Sequence, residues 1–273
     1  MLADAAPYLA CPLCRGDLVL AGSTLGCEQG HRFDVARQGY VSLLPGDART
    51  GTADTAAMVA ARVEFLASGE YARLTDAVAE AVASCPAEGC VVDAGGGTGH
   101  HLAASLDRSP GRVGVCCDLS RYAARRAARA HPRLGAVVSD VWRGLPVRDG
   151  VAAAVVDVFA PRNPAEFHRV LHPDGLLVVA TPRPDHLVEL VGGLGLLTVD
   201  EDKPERLRES LAGRFVPHDR RDLRWTMRLS RAAAAALVRM GPSAWHTADP
   251  DLDALPDPVE VTAAVTVSTY RVS

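Results

Sequence analysis

One stretch limits what this chain can fold into more than any other: Val91-Val92-Asp93-Ala94-Gly95-Gly96-Gly97-Thr98-Gly99-His100-His101. An apolar run ends in an acid, a burst of glycine follows, and Leu102-Ala103-Ala104-Ser105-Leu106 then reads as helix. A buried parallel strand turning sharply into a helix has this pattern. Glycine tolerates positive φ and close approach of a ligand, and the new helix starts with free N–H groups aimed into the turn. A dinucleotide turn needs G-x-G-x-x-G, and its third glycine would fall where His100 stands. The spacing is instead Asp-x-Gly-x-Gly-x-Gly, which marks Asp93, Gly95, Gly97 and Gly99 as a ligand-binding turn rather than a plain glycine-rich loop.

Downstream, strand-like and helix-like runs alternate, the signature of a doubly wound sheet, so the fold class is α/β. Val113-Gly114-Val115-Cys116-Cys117 ends in Asp118, about twenty residues past the glycines, where a carboxylate can accept both ribose hydroxyls. Ser120 caps a helix running to Ala130, and Ala136 to Ser139 is a third strand leading to Asp140-Val141. Ala152 to Val158, which carries Asp157, is a fourth strand and runs into Phe159-Ala160-Pro161-Arg162; Leu176 to Ala180 is a fifth. Asp222 to Leu229 alternates as a strand, Ala232 to Met240 reads as helix, and Val259 to Val272 is expected to close the sheet as its antiparallel edge. Ahead of the glycine turn, helices are expected from Thr55 to Ser68 and from Ala72 to Ala83, with Tyr71 between them as a packing residue.

The N-terminal residues carry a different signal. Cys11, Cys14, Cys27 and His31 give C-x2-C-x12-C-x3-H. Four soft ligands in two close pairs suit a tetrahedral Zn²⁺, and so short a segment needs such a staple. A redox C-x-x-C is the rival reading, but it has no use for Cys27 and His31. Four filled positions leave no open coordination site, so this zinc is structural. Cys85, Cys90, Cys116 and Cys117 read as small buried hydrophobes. Pro45 to Thr55, rich in Gly, Asp, Thr and Ala, suits a mobile connector. The chain thus divides into 1–45, a zinc module; 46–75, connector and helix; and 76–273, the α/β domain.

The Asp93–Gly99 spacing resembles the first motif of the S-adenosylmethionine-dependent methyltransferases. That likeness implies a Rossmann-like class I fold, S-adenosylmethionine as cofactor, and a carboxylate beside its ammonium. His31 to Leu44 reads His-Arg-Phe-Asp-Val-Ala-Arg-Gln-Gly-Tyr-Val-Ser-Leu-Leu. A zinc ribbon, this run and a methyltransferase domain in one chain resemble the 23S ribosomal RNA (guanine-N1)-methyltransferases, which include macrolide-resistance enzymes of actinomycetes. Thr181-Pro182 and Gly241-Pro242-Ser243-Ala244-Trp245-His246 fit the same family, and the likeness covers essentially the whole chain. It implies that Tyr71, His100 and His186 contact the cofactor and that Asp140 and Val141 sit beside its adenine. The tip of the fourth strand in such a fold faces the methyl group, so Phe159, Pro161 and Arg162 are the expected substrate residues: Phe159 to stack on the target base, although it reads equally well as a core aromatic, and Arg162 to hold a phosphate. Some members carry cysteine where this chain has His31. The family likeness further implies a homodimer and a ribbon that helps grip a 23S rRNA hairpin.

Composition bounds these readings. With 48% hydrophobic and 23% charged residues in 273, the chain can bury one large α/β core plus something small. No apolar run approaches a membrane span and Met1-Leu2-Ala3-Asp4 does not open a signal peptide, so a cytoplasmic protein without membrane contact is expected. A net charge of −4 excludes a chain-wide nucleic-acid field and leaves local patches. Candidates are Arg121, Arg125, Arg126, Arg129 and Arg133 on one helix; Arg214, Arg220, Arg221, Arg224, Arg228 and Arg231 around Trp225; and Arg15, Arg32 and Arg37 in the ribbon. Each reads as readily as solvated surface.

The reaction expected is methylation of N1 of one guanine in a 23S rRNA domain II hairpin near the peptide exit tunnel, with macrolide resistance as its consequence. N1 bears a proton and is hidden by pairing, so a base and a loop or flipped nucleotide are wanted. Asp157, Asp140, His186 and Asp185 are the candidate bases, and Asp157 stands nearest the right strand end. Methylation of a small molecule, with the ribbon serving assembly, is the alternative; an inactive adaptor holding cofactor and RNA is a third reading.

Overall fold

The computed structural model describes residues 1–48, 50–194, 203–241 and 255–273. Among these the N-terminal part forms α1 (Leu2–Ala5) and a three-stranded antiparallel sheet of β1 (Val19–Ala21), β2 (Thr24–Gly26) and β3 (Arg32–Asp34). The eight-stranded main sheet comprises β4 (Tyr40–Ser42), β5 (Cys90–Ala94), β6 (Gly114–Asp118), β7 (Leu134–Val138), β8 (Ala152–Val158), β9 (Leu171–Pro182), β10 (Phe215–Leu229) and β11 (Val259–Val272). Their order is β10-β11-β9-β8-β5-β6-β7-β4. Within this eight-stranded sheet only β11, among the described strands, runs against the direction of the rest. The helices are α2 (Ala56–Ala67), α3 (Ala72–Ala83), α4 (His100–Arg108), α5 (Arg121–Ala127), α6 (Pro164–Val170), α7 (Val188–Leu194), α8 (Lys203–Leu211) and α9 (Arg231–Arg239).

Local chemistry sets several boundaries. Thr55 and Ser120 cap α2 and α5 by accepting from the N–H groups of Met58 and Ala123, each cap worth about 1 kcal/mol. α5 ends at Ala127, a turn earlier than expected.

The expectation that Val259–Val272 closes the sheet is overturned. β11 lies between β9 and β10, and nearly all of it is buried, because its Val, Ala and Thr residues face a neighbour on either side. β10 is the edge instead, and its long exposed run of charged residues suits that place.

The N-terminal module is built into this sheet. β4 pairs in parallel with β7 through Tyr40–Ala136, Val41–Val137 and Ser42–Val138, although it lies within residues 1–45. Leu9 bridges to Val147, and Ala5 packs so closely on Gly135 that a side chain there would collide with it. Arg15 donates to the carbonyls of Leu145 and Val147 at 3.1 and 3.2 Å, so it serves docking rather than a surface patch. One core cluster holds Leu9, Leu25 and Val41 together with Val115, Val137, Phe167 and Leu211. The opposite face buries Phe65, Leu74, Val78, Leu102 and Leu106. Each fully buried Leu or Phe contributes roughly 1.5–3 kcal/mol.

The connector is also anchored, contrary to the mobile segment expected. Asp47 takes two hydrogen bonds from Arg143 at 2.9 and 2.6 Å, Asp54 pairs with Arg62, and the Asp54 carbonyl accepts from Ser120 Oγ at 2.6 Å. No helix among the described residues is long and apolar enough to cross a membrane.

Candidate active site and metal centre

The site assembles at the carboxyl ends of β5, β6, β7 and β8. At the end of β5 the chain turns through Gly95 and Gly97, with φ of +78° and +56°, into α4, which Gly99 precedes. A Cβ on Gly95 would come within 2.6 Å of Ala160 Cβ, so the glycine turn and the loop after β8 touch. Gly96, which the spacing argument passed over, is equally constrained: a Cβ there would lie 2.6 Å from the Asp93 carboxyl. Asp93 itself is buried, and burial, then the nearby Asp118, pushes its carboxyl up to about 7. His100 and His101 both line the small cavity over this turn, and His101 Nδ1 is also 3.1 Å from Thr75 Oγ1.

Asp118 ends β6 with both oxygens engaged. Oδ2 accepts from Gly97 N–H at 2.8 Å and Oδ1 from Ser120 N–H at 2.7 Å, which leaves lone pairs on each oxygen for a diol. Burial raises its carboxyl, and those two N–H groups pull the other way. Asp140, just past β7, caps a short turn by accepting from Trp142 N–H at 3.0 Å, and Val141 beside it is buried. Asn163 Nδ2 donates to the Val141 carbonyl at 3.0 Å and so ties the loop after β8 to this side of the cleft.

At the tip of β8, Phe159 sits at φ +53° with its ring 40% exposed, a conformation that favours glycine and costs an aromatic residue energy. Its ring lies 5.7 Å from His186 and 6.5 Å from Tyr71, and Tyr71 packs edge-on against Phe65 and Trp225. The Tyr71 hydroxyl is 3.3 Å from His186 Nε2. Pro161 is exposed beside Gly95, and Arg162 Nε is 3.0 Å from Asp157 Oδ1. That contact is an ion pair without hydrogen-bond alignment, for neither Asp157 oxygen has an aligned partner among the described residues. Burial pushes the Asp157 carboxyl up to about 8, although Arg162 pulls it down.

The other base candidates are occupied. His186 Nδ1 accepts from Ala264 N–H at 3.1 Å, and Asp185 is paired with Arg224 at 2.9 Å, which holds its carboxyl low.

The four ribbon ligands converge. Their donor atoms all lie within 4.8 Å of one another, with Cys14 Sγ–Cys27 Sγ at 3.6 Å and His31 Nδ1 at 3.5 and 3.3 Å from Cys11 and Cys27 Sγ. A tetrahedral Zn²⁺ sets S···S near ~3.8 Å and S···N near ~3.5 Å. The donor set is therefore correctly shaped for one structural zinc.

The basic patches divide. Arg121, Arg125 and Arg126 are exposed on α5 and Arg129 just beyond its end, but Arg133 turns inward to the carbonyls of Leu106, Ser109 and Arg112. Arg220, Arg221 and Arg224 pair with Asp222, Glu80 and Asp185, so much of that cluster's charge is spent. Arg32 and Arg37 are exposed. Gly241 begins the Gly241–His246 segment, whose remaining residues lie outside those described.

A central glycine turn, an acid at the next strand end and a metal-stapled ribbon together define a zinc-ribbon methyltransferase that uses S-adenosylmethionine. A methyltransferase of Haloferax volcanii, solved with the Trm112 methyltransferase activator, has a similar fold: TM-score 0.50 at 17% identity, over 82% of this chain and 99% of that one. Residues 9–50 match the family model of the RlmA N-terminal zinc ribbon. The chain is 50% identical to the 23S rRNA (guanine(748)-N(1))-methyltransferase of Streptomyces fradiae, over 97% of this chain and 96% of that protein. A Micromonospora griseorubida protein, provisionally named a 23S rRNA (guanine-N(1)-)-methyltransferase, is 49% identical over 98% of each. This chain belongs to the 23S rRNA (guanine-N1)-methyltransferase family.

Proposed function

We propose that the protein methylates N1 of a single guanine in a 23S rRNA hairpin, the counterpart of the guanine 748 named for the Streptomyces fradiae relative. Macrolide resistance, a cytoplasmic location and a homodimer belong to the same reading. The observation that carries it is the exposed Phe159 ring, held in a costly backbone conformation where the loop after β8 touches the glycine turn. An aromatic displayed there can stack on an extruded base.

Asp93, Gly95, Gly97, Gly99, His100, Tyr71 and His186 hold the methionine end of the cofactor in this reading, and Asp118, Asp140 and Val141 hold its adenosine. When bound, S-adenosylmethionine supplies an electrophilic methyl with a built-in leaving group, so orientation accounts for much of the rate. Phe159 and Pro161 position the guanine. Asp157 accepts the N1 proton, its raised carboxyl being well matched to that task near neutral pH. Arg162 keeps that carboxyl ionisable, and its charge also favours the negative charge that the guanine gains as N1 loses its proton to Asp157. Arg32, Arg37 and the exposed face of α5 grip phosphates.

Primer extension on a 23S rRNA hairpin transcript tests the proposal, because a methyl on N1 blocks pairing and stops reverse transcriptase. A stop at one guanine, dependent on protein and cofactor, is the expected result. Label entering only small metabolites, or no transfer at all, would overturn it.

A further inference from the structure

The cleft at the sheet's carboxyl ends is in two parts: a cavity of about 40 Å³ over the glycine turn and one of about 830 Å³ beside the ends of β6 and β7. One ion pair stands between them. Arg62 lines the smaller cavity, Asp54 lines the larger, and Arg62 Nη2 lies 2.6 Å from Asp54 Oδ2. The same nitrogen donates to the Met240 carbonyl at 2.9 Å. Arg62 crosses Gly97 so closely that a Cβ there would be 3.4 Å from Arg62 Cδ. Its Nε is buried and has no hydrogen-bond partner among the described residues, a state that costs energy until an acceptor reaches it.

We propose that Arg62 is the receptor for the α-carboxylate of the cofactor, and that Asp54 holds the guanidinium until that carboxylate takes its place. A ligand with its ribose on Asp118 and its amino-acid end over Gly95–Gly99 must run through the point where these two side chains meet. At about 40 Å³ the smaller cavity has room for little more than a water or two, so it admits the amino-acid arm only if Arg62, which lines it, swings aside. A guanidinium meets a carboxylate with two parallel hydrogen bonds, and the unspent Nε provides the second donor. The exchange trades one carboxylate for another, so no charge is left buried and unpaired. The Asp54 backbone carbonyl, which accepts from Ser120 Oγ, keeps the connector in place when the carboxylate lets go. This inference rests on the cofactor and is independent of the RNA substrate.

Isothermal titration with two ligands tests it: S-adenosylhomocysteine, which carries the carboxylate, and 5′-methylthioadenosine, which lacks the amino-acid end. Arg62→Met is expected to weaken the first by about ten- to a hundredfold and the second by less than about threefold. Arg62→Lys, which keeps charge without the fork, falls between, again for the first ligand only. Asp54→Asn is expected to bind S-adenosylhomocysteine at least as tightly as the unaltered protein. Equal loss for both ligands in Arg62→Met, or no loss for either, would overturn the assignment. A tenfold loss for S-adenosylhomocysteine alone in Asp54→Asn would overturn the exchange. Retained 5′-methylthioadenosine binding shows that each variant has folded, and an unaltered protein that binds neither ligand would instead refute the cofactor assignment.

Discussion

His186 Nε2 lies 3.3 Å from the Tyr71 hydroxyl while its Nδ1 accepts from Ala264 N–H, which fixes the imidazole as the Nε2–H tautomer. The ring donates to Tyr71, and the Tyr71 hydroxyl is left to donate into the cleft. This arrangement removes His186 from the list of bases. Burial lowers its pKa to about 4, so it is neutral at pH 7. Tyr71→Phe leaves a buried N–H unpaired and should cost about 1–3 kcal/mol in a urea titration.

The sign of the acid dependence follows from the same groups. His186 at about 4 and His101 at about 3, both lowered by burial, lie below their unfolded value of 6.5. Their contribution to stability is present above pH 6.5 and is lost as pH falls toward 4 and then 3. Between pH 6.5 and 4, the unfolding free energy from urea titration should drop by on the order of 1 kcal/mol per pH unit for each histidine.

The rate of methyl transfer should follow Asp157 in the opposite range. With its carboxyl at about 8, the ionised base accumulates as pH rises, so kcat/KM should climb through pH 8 and level off. Arg162→Met removes a charge that favours ionisation and should move the inflection upward. Asp157→Asn should abolish the inflection and most of the rate while S-adenosylhomocysteine binding, read by calorimetry, stays unchanged.

Gly95→Ala puts a methyl 2.6 Å from Ala160 Cβ at φ +78°. Overpacking of this sort costs roughly 1–3 kcal/mol, and here it must part the glycine turn from the loop after β8. Cofactor affinity should fall by about tenfold or more, measured by calorimetry with S-adenosylhomocysteine.

Metal analysis should find one zinc per chain, and Cys27→Ser should abolish it. Because Leu9, Leu25 and Val41 share a core cluster with Phe167 and Leu211, the loss should reach the large domain and lower its Tm by ~5–10 °C in calorimetry.

Arg32→Ala with Arg37→Ala should lower the salt dependence of RNA binding by roughly 1.4–1.8 in log–log slope, about the value for two phosphate contacts. An unchanged slope would remove the ribbon from the RNA grip.

What could be read from the chain beforehand was what depends on short spacing. The Asp93–Gly99 turn, Asp118 at the next strand end and the four ribbon ligands are each set by a few adjacent residues. The strand Ala152–Val158 was legible to the residue because its apolar run has clear ends. Contacts between distant segments were not legible. Nothing local says that Ala160 packs on Gly95, that Arg62 reaches Asp54 and Met240, or that Arg133 turns in to cap α4. Burial on both faces of β11, which sets it inside the sheet, is also clearer in three dimensions than in its alternation of Val, Ala and Thr. Arg62 did carry one faint sign, a charge on the otherwise apolar side of Met58, Val59, Phe65 and Leu66.

The parallel pairing of β4 with β7 gives the metal a second office. β7 is buried along its whole length, and Tyr40–Ser42 are what cover its outer flank. A chain deprived of zinc would fray there first and bare a row of unsatisfied amides and carbonyls, a template onto which another molecule can zip. Starved of metal, the protein would clump before it forgot its RNA.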